Sequence, residues 1–512
     1  MKTGKILDPI HGTIGITEIE KFVINQKIFG RLRKVKQNTL LNYVFPGANH
    51  TRFEHSIGVM HLSEEIFNKS NENVNITELK NEKYNIEKKY STIHELIDDD
   101  FQSRVTLQEL RLSALLHDIG HGPTSHKFDD FTITGNTLLS ILKSEKSIFS
   151  DYTTYFENYI RKNKLIEKRI EHELVSCVFI IKIINDLKAY EYLTEDSIKI
   201  RENIDVKNII KMIEPSFLPD HEIEYNNNIL TNYFNSIISS FPFDADRMDY
   251  LFRDSFYSGV KYGFFDLSRI LMSILPVKDG NQYTLGIKES GMGSIIRFIQ
   301  SRNHLYNQVY FHKTNCATNT MLDFVFRHMK GQSVISGIKN YQDYESFYCD
   351  NSDEHFFKDT LKSILIENGC DICTDGCIEN DVLDELINRN LWKRIYEERI
   401  IVNDTKNIDS HKFDENKIRQ LRENLEKEGT YILENYSTNK GLKGFEKSKI
   451  VIISKKNGVV SNWKDFDDEF KFLNQTNLFI KRIYLRKTFN DAQEYKDIKD
   501  SVLDKLKNII NK

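Results

Sequence analysis

The chain has 512 residues, with 71 Lys and Arg against 75 Asp and Glu and a formal charge of −4. That near balance excludes a general nucleic-acid coat and a polybasic membrane binder, while leaving room for a local basic pocket. Only 7 Pro and 23 Gly punctuate a sequence rich in Lys, Glu, Ile and Leu, so the expected fold class is mostly α.

No stretch approaches the ~18 apolar residues of a membrane span, and Met1 to Glu20 holds no apolar signal-like run. Six unevenly placed cysteines fit a reduced compartment, so a cytoplasmic protein without membrane contact is expected. Residues 1–67 are dense in distinctive features. A polar insertion follows near 68–105, read as solvated and helical in part over Asn68 to Asp100. Leu107 to Leu116 is helical. A second insertion, near 131–170, is aromatic, charged and helical. Glu171 to Leu187 predicts a buried helix, Ile229 to Phe256 another after Pro242, and Ser294 to Lys330 one long helix. Beyond about 330, helices at Asp353 to Glu367, Asn380 to Arg399 and Glu415 to Glu428 precede strands at Lys449 to Ser454 and Leu478 to Leu485. Residues 455–458, Lys-Lys-Asn-Gly, predict a hairpin turn, and Tyr495 to Asn511 a closing helix. The expected division is a helical core over 1–330 and an α+β region over 331–512.

The sharpest chemical signal is Leu115 to Gly122, where an apolar helix ends in His117-Asp118 and a Gly-rich turn. Imidazole and carboxylate together suit Mn, Fe, Ni, Zn or Mg rather than a thiolate-seeking metal. His121 and His126 follow at once. His55 opens a helix with Val59, Leu62 and Ile66 at helical spacing. Asp246, Tyr250 and Asp254 fall on one helix face at i, i+4 and i+8, an arrangement that a solvated acidic face also explains. Arg302, Tyr306, Tyr310 and Lys313 form a stripe suited to phosphate plus a sugar or base, or to an amphipathic surface.

These residues reproduce the H…HD…D signature of HD-domain phosphohydrolases. The segments Asp8 to Gly12, Arg31 to Arg33, Val44 to Ala48, His50 to Gly58, His117 to His126 and Asp246 to Asp254 closely resemble the deoxynucleoside triphosphate triphosphohydrolases. The resemblance is to the branch holding the vertebrate SAM-and-HD-domain enzyme and its bacterial relatives, with Asp8 where the HD core begins and no SAM domain before it. It implies an HD-domain helical core with a smaller α+β C-terminal region for regulation and oligomerisation. It also implies a dNTP substrate, one divalent metal ion (Mn, Fe, Mg or Ni) per site, and release of deoxynucleoside and inorganic triphosphate.

Carried over position by position, His55, His117, Asp118 and Asp246 hold the metal, and His121, His126 and His172 line the phosphate site. His126 is the general acid for the departing 5′-oxygen, oriented by Asp129 three residues on. Arg52, Arg247 and Arg302 neutralise the triphosphate, Gln37 and Asp254 meet the sugar 3′-hydroxyl, Asn38 lies under sugar and base, and Tyr250 and Tyr310 crowd C2′, with Tyr306 between. Arg247 replaces a lysine of the vertebrate enzyme, Asn38 an apolar residue and Phe311 a polar one. A homo-oligomer, tetramer or larger, is implied, with a nucleotide activator near Arg33, Arg269 and Lys313. Asn25 stands where the vertebrate enzyme reads guanine with an acid, which argues against a guanine activator. Cys349, Cys370, Cys373 and Cys377 could hold a structural Zn, but their spacing is not a standard ribbon and free thiols are preferred. Two other classes remain: an HD phosphodiesterase or nuclease with more metal ligands, and a non-enzymatic nucleotide sensor. Nucleotide-pool control and antiphage defence are equally compatible uses.

Overall fold

The computed structural model describes residues 2–81, 90–240, 242–326, 335, 337–367, 378–402, 409–439, 451–453, 460–462, 478–486 and 491–510. The fold is mostly α. Its spine is a helix of 30 residues, Arg52–Asn81, which packs against helices Asp100–Leu116 and Ala245–Ser258 and strand Ile274–Asp279. Val59, Met60, Leu62, Ile66 and Phe67 are buried along it at helical spacing, and Val74 continues the stripe. One glycine is obligatory on this helix. A Cβ at Gly58 would lie 1.9 Å from Asp249 Oδ1 and 2.6 Å from Arg253 Nη2, so the crossing with helix Ala245–Ser258 closes only over Gly.

The polar stretch after Asn68 departs from the solvated insertion expected there. The spine helix carries its first part, to Asn81, where polar side chains satisfy buried groups, while residues 82–89 lie outside the described residues. Asn73 Nδ2 donates to the carbonyls of Leu271 (2.7 Å) and Ile274 (2.8 Å), Asn71 Oδ1 accepts from Ile93 N (2.6 Å), and Ser70 shares a hydrogen bond with Tyr233. Composition reads polarity, and only packing shows that these amides face a core. The second insertion is helical as expected, with helices Gly135–Ser144, Lys146–Phe149 and Thr153–Lys162.

Two expected helices divide. The one expected over Ser294 to Lys330 is a helix Met292–Leu305, a π-helical turn Tyr306–Tyr310 and a second helix Lys313–Phe326, with 327–330 outside the described residues. The one expected over Asn380 to Arg399 ends at Ile387, and Lys393–Ile401 is a strand. The break falls at Asn388 to Asn390, where Arg389 takes a positive φ of 58°. Pairing across to Leu478–Leu485 then overrides local helix propensity.

The described strands form three sheets. Lys2–Asp8 and Gly12–Thr17 make an N-terminal hairpin. Lys393–Ile401, Leu478–Leu485 and Ile432–Asn439 make an antiparallel sheet with Leu478–Leu485 central. The third sheet joins the regions: Val451–Ile453 pairs parallel with Gln282–Lys288, itself in a hairpin with Ile274–Asp279. Val460–Asn462 pairs antiparallel with Val451–Ile453, as the hairpin signal requires, although the turn at 455–458 lies outside the described residues. No helix among the described residues is long and apolar enough to cross a membrane.

Candidate active site

Three helix ends bring the chemistry together. His55 lies in the first turn of the spine helix, His117 caps the C-terminus of Asp100–Leu116, and Asp246 lies in the first turn of Ala245–Ser258. The turn after His117 needs glycine, because a Cβ at Gly120 would stand 2.1 Å from the His172 carbonyl. Ser176 fastens this turn, accepting from Gly120 N (2.8 Å) and donating to the His117 carbonyl (3.0 Å).

The ligating atoms of His55, His117 and Asp246 lie within 4.8 Å of one another. His55 Nε2 is 3.1 Å and His117 Nε2 3.9 Å from Asp246 Oδ1. Each ring is held from behind: His55 Nδ1 by Asp249 Oδ2 (2.8 Å), His117 Nδ1 by the Ala114 carbonyl (2.8 Å). Both Nε2 atoms are buried without a hydrogen-bond partner. Two orphaned imidazole nitrogens facing a carboxylate, each with its other nitrogen fixed, suit a divalent cation. Asp118 adjoins this trio. Its carboxylate is 3.4 Å from His117 Nε2 and 3.7 Å from His55 Nε2, and it is also engaged by Arg52 and by His121 Nε2 (3.3 Å). Burial pushes its pKa up, but the charges of His117, Arg52 and His121 outweigh that and hold it well below the usual range. Burial lowers His55, yet Asp246 and Asp249 push it up to about 10. A cation would compete with that proton, so binding should release protons.

A second group adjoins the first. His121, His126, Asp129 and His172 also offer ligand atoms within 4.8 Å of one another. The rings of His121 and His172 stack at 3.6 Å, and His126 meets them at 4.7 and 5.0 Å. Asp129 was expected to orient His126. Its Oδ2 instead lies 2.8 Å from His172 Nδ1 and 3.9 Å from His126 Nδ1, whose side chain is 73 % exposed. The carboxylate is thus shared and held closer by His172, because the helix His172–Lys188 delivers that ring from a distant part of the chain. Burial lowers His172, but the Asp129 hydrogen bond and the charge of Glu173 raise it above its ordinary value. Burial, with Arg52 and His172 nearby, takes His121 well below it.

The substrate-side residues divide by what already engages them. Gln37 Oε1 and Asn38 Nδ2 are buried without hydrogen-bond partners. Arg52 is tied to Asp118 and to Ser125 Oγ (3.0 Å), and Arg247 pairs with Asp244. Arg302 donates to Tyr250 OH (3.3 Å) and stacks on Tyr306 at 4.5 Å, and Tyr306 meets Tyr310 edge to face at 4.8 Å. Asp254 accepts from Tyr310 OH and pairs with His50 Nε2 at 2.6 Å. The expected stripe therefore splits at the π-helical turn. Lys313 lies beyond it and lines a separate basic cavity of about 450 Å³ with Arg389, Trp392, Lys393 and Arg394. Arg33 stacks on Phe53 at 3.6 Å, Arg269 donates to the Ser290 carbonyl (3.0 Å), and Asn25 is an exposed helix cap. Cys349 is a free thiol, and Cys370, Cys373 and Cys377 lie outside the described residues.

Asp249, three residues past Asp246, was not among the expected site residues. It is the hub behind His55, accepting also from His11 Nε2 (2.7 Å) and from Arg253 Nε and Nη2 (2.8 and 2.9 Å), while Arg253 reaches Asp8 at 2.8 Å. Asp8 and His11 buttress the metal group. Their signal was present in the Asp8 to Gly12 motif, but its partner sits 238 residues away from His11.

Residues 52–176 match the HD domain family. The chain is 29 % identical over 317 residues to an uncharacterized protein of Methanocaldococcus jannaschii, covering 62 % of this chain and 48 % of that protein. It is 28 % identical over 329 residues to an uncharacterized protein of Bacillus subtilis, covering 63 % and 55 %. It is 28 % identical over 339 residues to the deoxynucleoside triphosphate triphosphohydrolase SAMHD1 of Gallus gallus, covering 65 % and 46 %. The matched region thus spans about half the length of these curated relatives. A crystal structure of a hypothetical protein from Aquifex aeolicus shares the fold, with a TM-score of 0.58, 21 % identity and coverage of 98 % of this chain and all of that one.

Proposed function

We propose, for a chain that carries an HD domain and is homologous to deoxynucleoside triphosphate triphosphohydrolases, metal-dependent hydrolysis of dNTPs to deoxynucleoside and inorganic triphosphate. The observation that carries this reading is the pair of adjoining groups, orphaned ligand nitrogens on one side and a stack of imidazoles around Asp129 on the other, with Asp118 between them. His55, His117, Asp246 and Asp118 would hold the cation, which supplies Lewis-acid activation of water and of the phosphoryl oxygen. Arg52, Arg247 and Arg302 offset the triphosphate charge. His126 delivers a proton to the 5′-oxygen as it leaves, drawing on the carboxylate it shares with His172. Tyr250 and Tyr310 bound the sugar, and burial keeps both phenols protonated as donors. Lys313 and its basic cavity would take an activating nucleotide, and a homo-oligomer is the proposed assembly.

The second group's spacing also suits a second cation, which favours an HD phosphodiesterase as the alternative. The discriminating experiment incubates the protein with each dNTP and Mn²⁺ or Mg²⁺, with and without a second dNTP, and separates the products. Deoxynucleoside plus triphosphate supports the proposal. Nucleoside monophosphate plus pyrophosphate, or cleavage of a cyclic or linear phosphodiester instead, rejects it. His117→Ala and Asp246→Ala should lose bound metal and turnover together.

A further inference from the structure

Downstream of the HD domain, at Asp353, a buried carboxylate touches two active-site loops at once. Its Oδ1 accepts from Thr124 N and its Oδ2 from Lys36 N, both at 2.9 Å. Lys36 precedes Gln37 and Asn38, and Thr124 precedes Ser125 and His126. The second loop is strained. Thr124 and Ser125 are consecutive non-glycine residues in the left-handed region, with φ of 66° and 55°, a conformation that costs most for a β-branched residue. Such a loop persists only where its surroundings over-determine it, and here they do. Thr39 Oγ1 donates to the Thr124 carbonyl (2.8 Å), Ser125 Oγ donates to the Lys36 carbonyl (3.0 Å), and Arg52 Nε donates to Ser125 Oγ (3.0 Å). Asp353 is 6 % exposed and begins the turn Asp353–His355, whose N-cap Ser352 accepts from His355 N (3.1 Å).

We infer that Asp353 is a positioning residue: it fastens the loop that presents His126 to the loop that presents Gln37 and Asn38, so that the C-terminal region sets the geometry of the catalytic one. The catalytic consequence rests on the function proposed above, whereas the fastening itself does not. The test uses the full chain and three variants, Asp353→Asn, Asp353→Ala and Asp353→Asn with Thr124→Gly. An amide offers one acceptor where two N–H groups need one each, so one donor is left facing an NH₂. Backbone hydrogen exchange in peptides covering 34–40 and 120–128 should quicken by roughly 10- to 100-fold in Asp353→Asn, the factor of one hydrogen bond to a charged group. Turnover number should fall by a similar factor, with bound metal and exchange elsewhere unchanged. Thr124→Gly should restore part of it, because glycine takes the left-handed conformation without the clamp, and Thr124 Oγ1 has no hydrogen-bond partner to lose. Unchanged exchange in both peptides overturns the inference. So does a loss of turnover that comes with lost metal or globally faster exchange, or one that glycine at 124 does not relieve. If the unaltered protein releases no triphosphate from any dNTP, the proposed function fails, and the exchange measurement still decides the clamp.

Discussion

Asp249→Asn probes the support behind the metal group most directly. Four donors share its two oxygens: His11 and Arg253 Nη2 on one, His55 and Arg253 Nε on the other. Burial disfavours this charge, yet Arg253, His11 and His55 hold the carboxyl well below the usual range. An amide keeps one acceptor, turns an NH₂ toward two donors and leaves the fully buried Arg253 with one hydrogen bond to residue 249 and Asp8 as its remaining carboxylate partner. Breaking a buried charge network from one side costs roughly 3–5 kcal/mol. Loosening the carboxylate behind a ligating imidazole costs about 10- to 100-fold in metal affinity. Urea unfolding and a competitive metal titration measure the two separately. The pH dependence has a definite sign. A depressed carboxyl contributes stability that is present above its unfolded pKa of about 3.9 and is lost as pH falls through the lower folded value. The gap between the two proteins should therefore hold steady from about pH 5 to about pH 6.5, close in acid, and narrow again toward pH 10, where His55 loses the proton that Asp249 helps it keep. A variant within about 0.5 kcal/mol of the parent that keeps parental metal affinity would refute the hub.

Asp129→Asn should lower the His172 pKa, because the carboxylate that raises it is gone. If the proton that His126 delivers is resupplied by His172 through their shared carboxylate, activity is lost as pH rises through the His172 pKa, so the basic limb of the pH–rate profile should move to lower pH. An unmoved limb would detach Asp129 from the proton donor. Sugar selection should favour dNTPs over NTPs, with Tyr310→Ala losing affinity before it gains ribonucleotide turnover, since its hydroxyl is spent on Asp254; equal turnover of dGTP and GTP removes this claim. Light scattering should give a mass well above the 60.2 kDa of one chain in saturating dNTP, and a monomer under all conditions excludes the assembly.

Much of the site was legible because its residues announce themselves by type and order. The His117-Asp118 pair after an apolar helix, and a histidine and an aspartate each in the first turn of a helix, are local patterns. Three of those four residues meet in one group. The strand Leu478–Leu485 was equally legible, its Leu, Phe, Ile and Tyr flanking only a central Lys481-Arg482 pair. What failed were inferences that one segment cannot make about another. Lys393–Ile401 reads as helix in isolation and is a strand only because Leu478–Leu485 pairs with it. The polar run after Asn68 reads as solvated because nothing near it in sequence reveals that Leu271, Ile274 and Ile93 need its amides.

The sequence by itself determined the chemical types at the centre and the helical class, since each depends on side-chain identity and short-range periodicity. Tertiary structure alone decided which partner each buried charge takes. Asp129 lies three residues from His126 yet sits closer to His172, Asp249 sits behind His55 rather than facing solvent, and Asp353 holds Lys36 and Thr124 from more than two hundred residues away. A buried carboxylate is tolerable only where several donors converge on it, and which donors converge is fixed by how the helices cross.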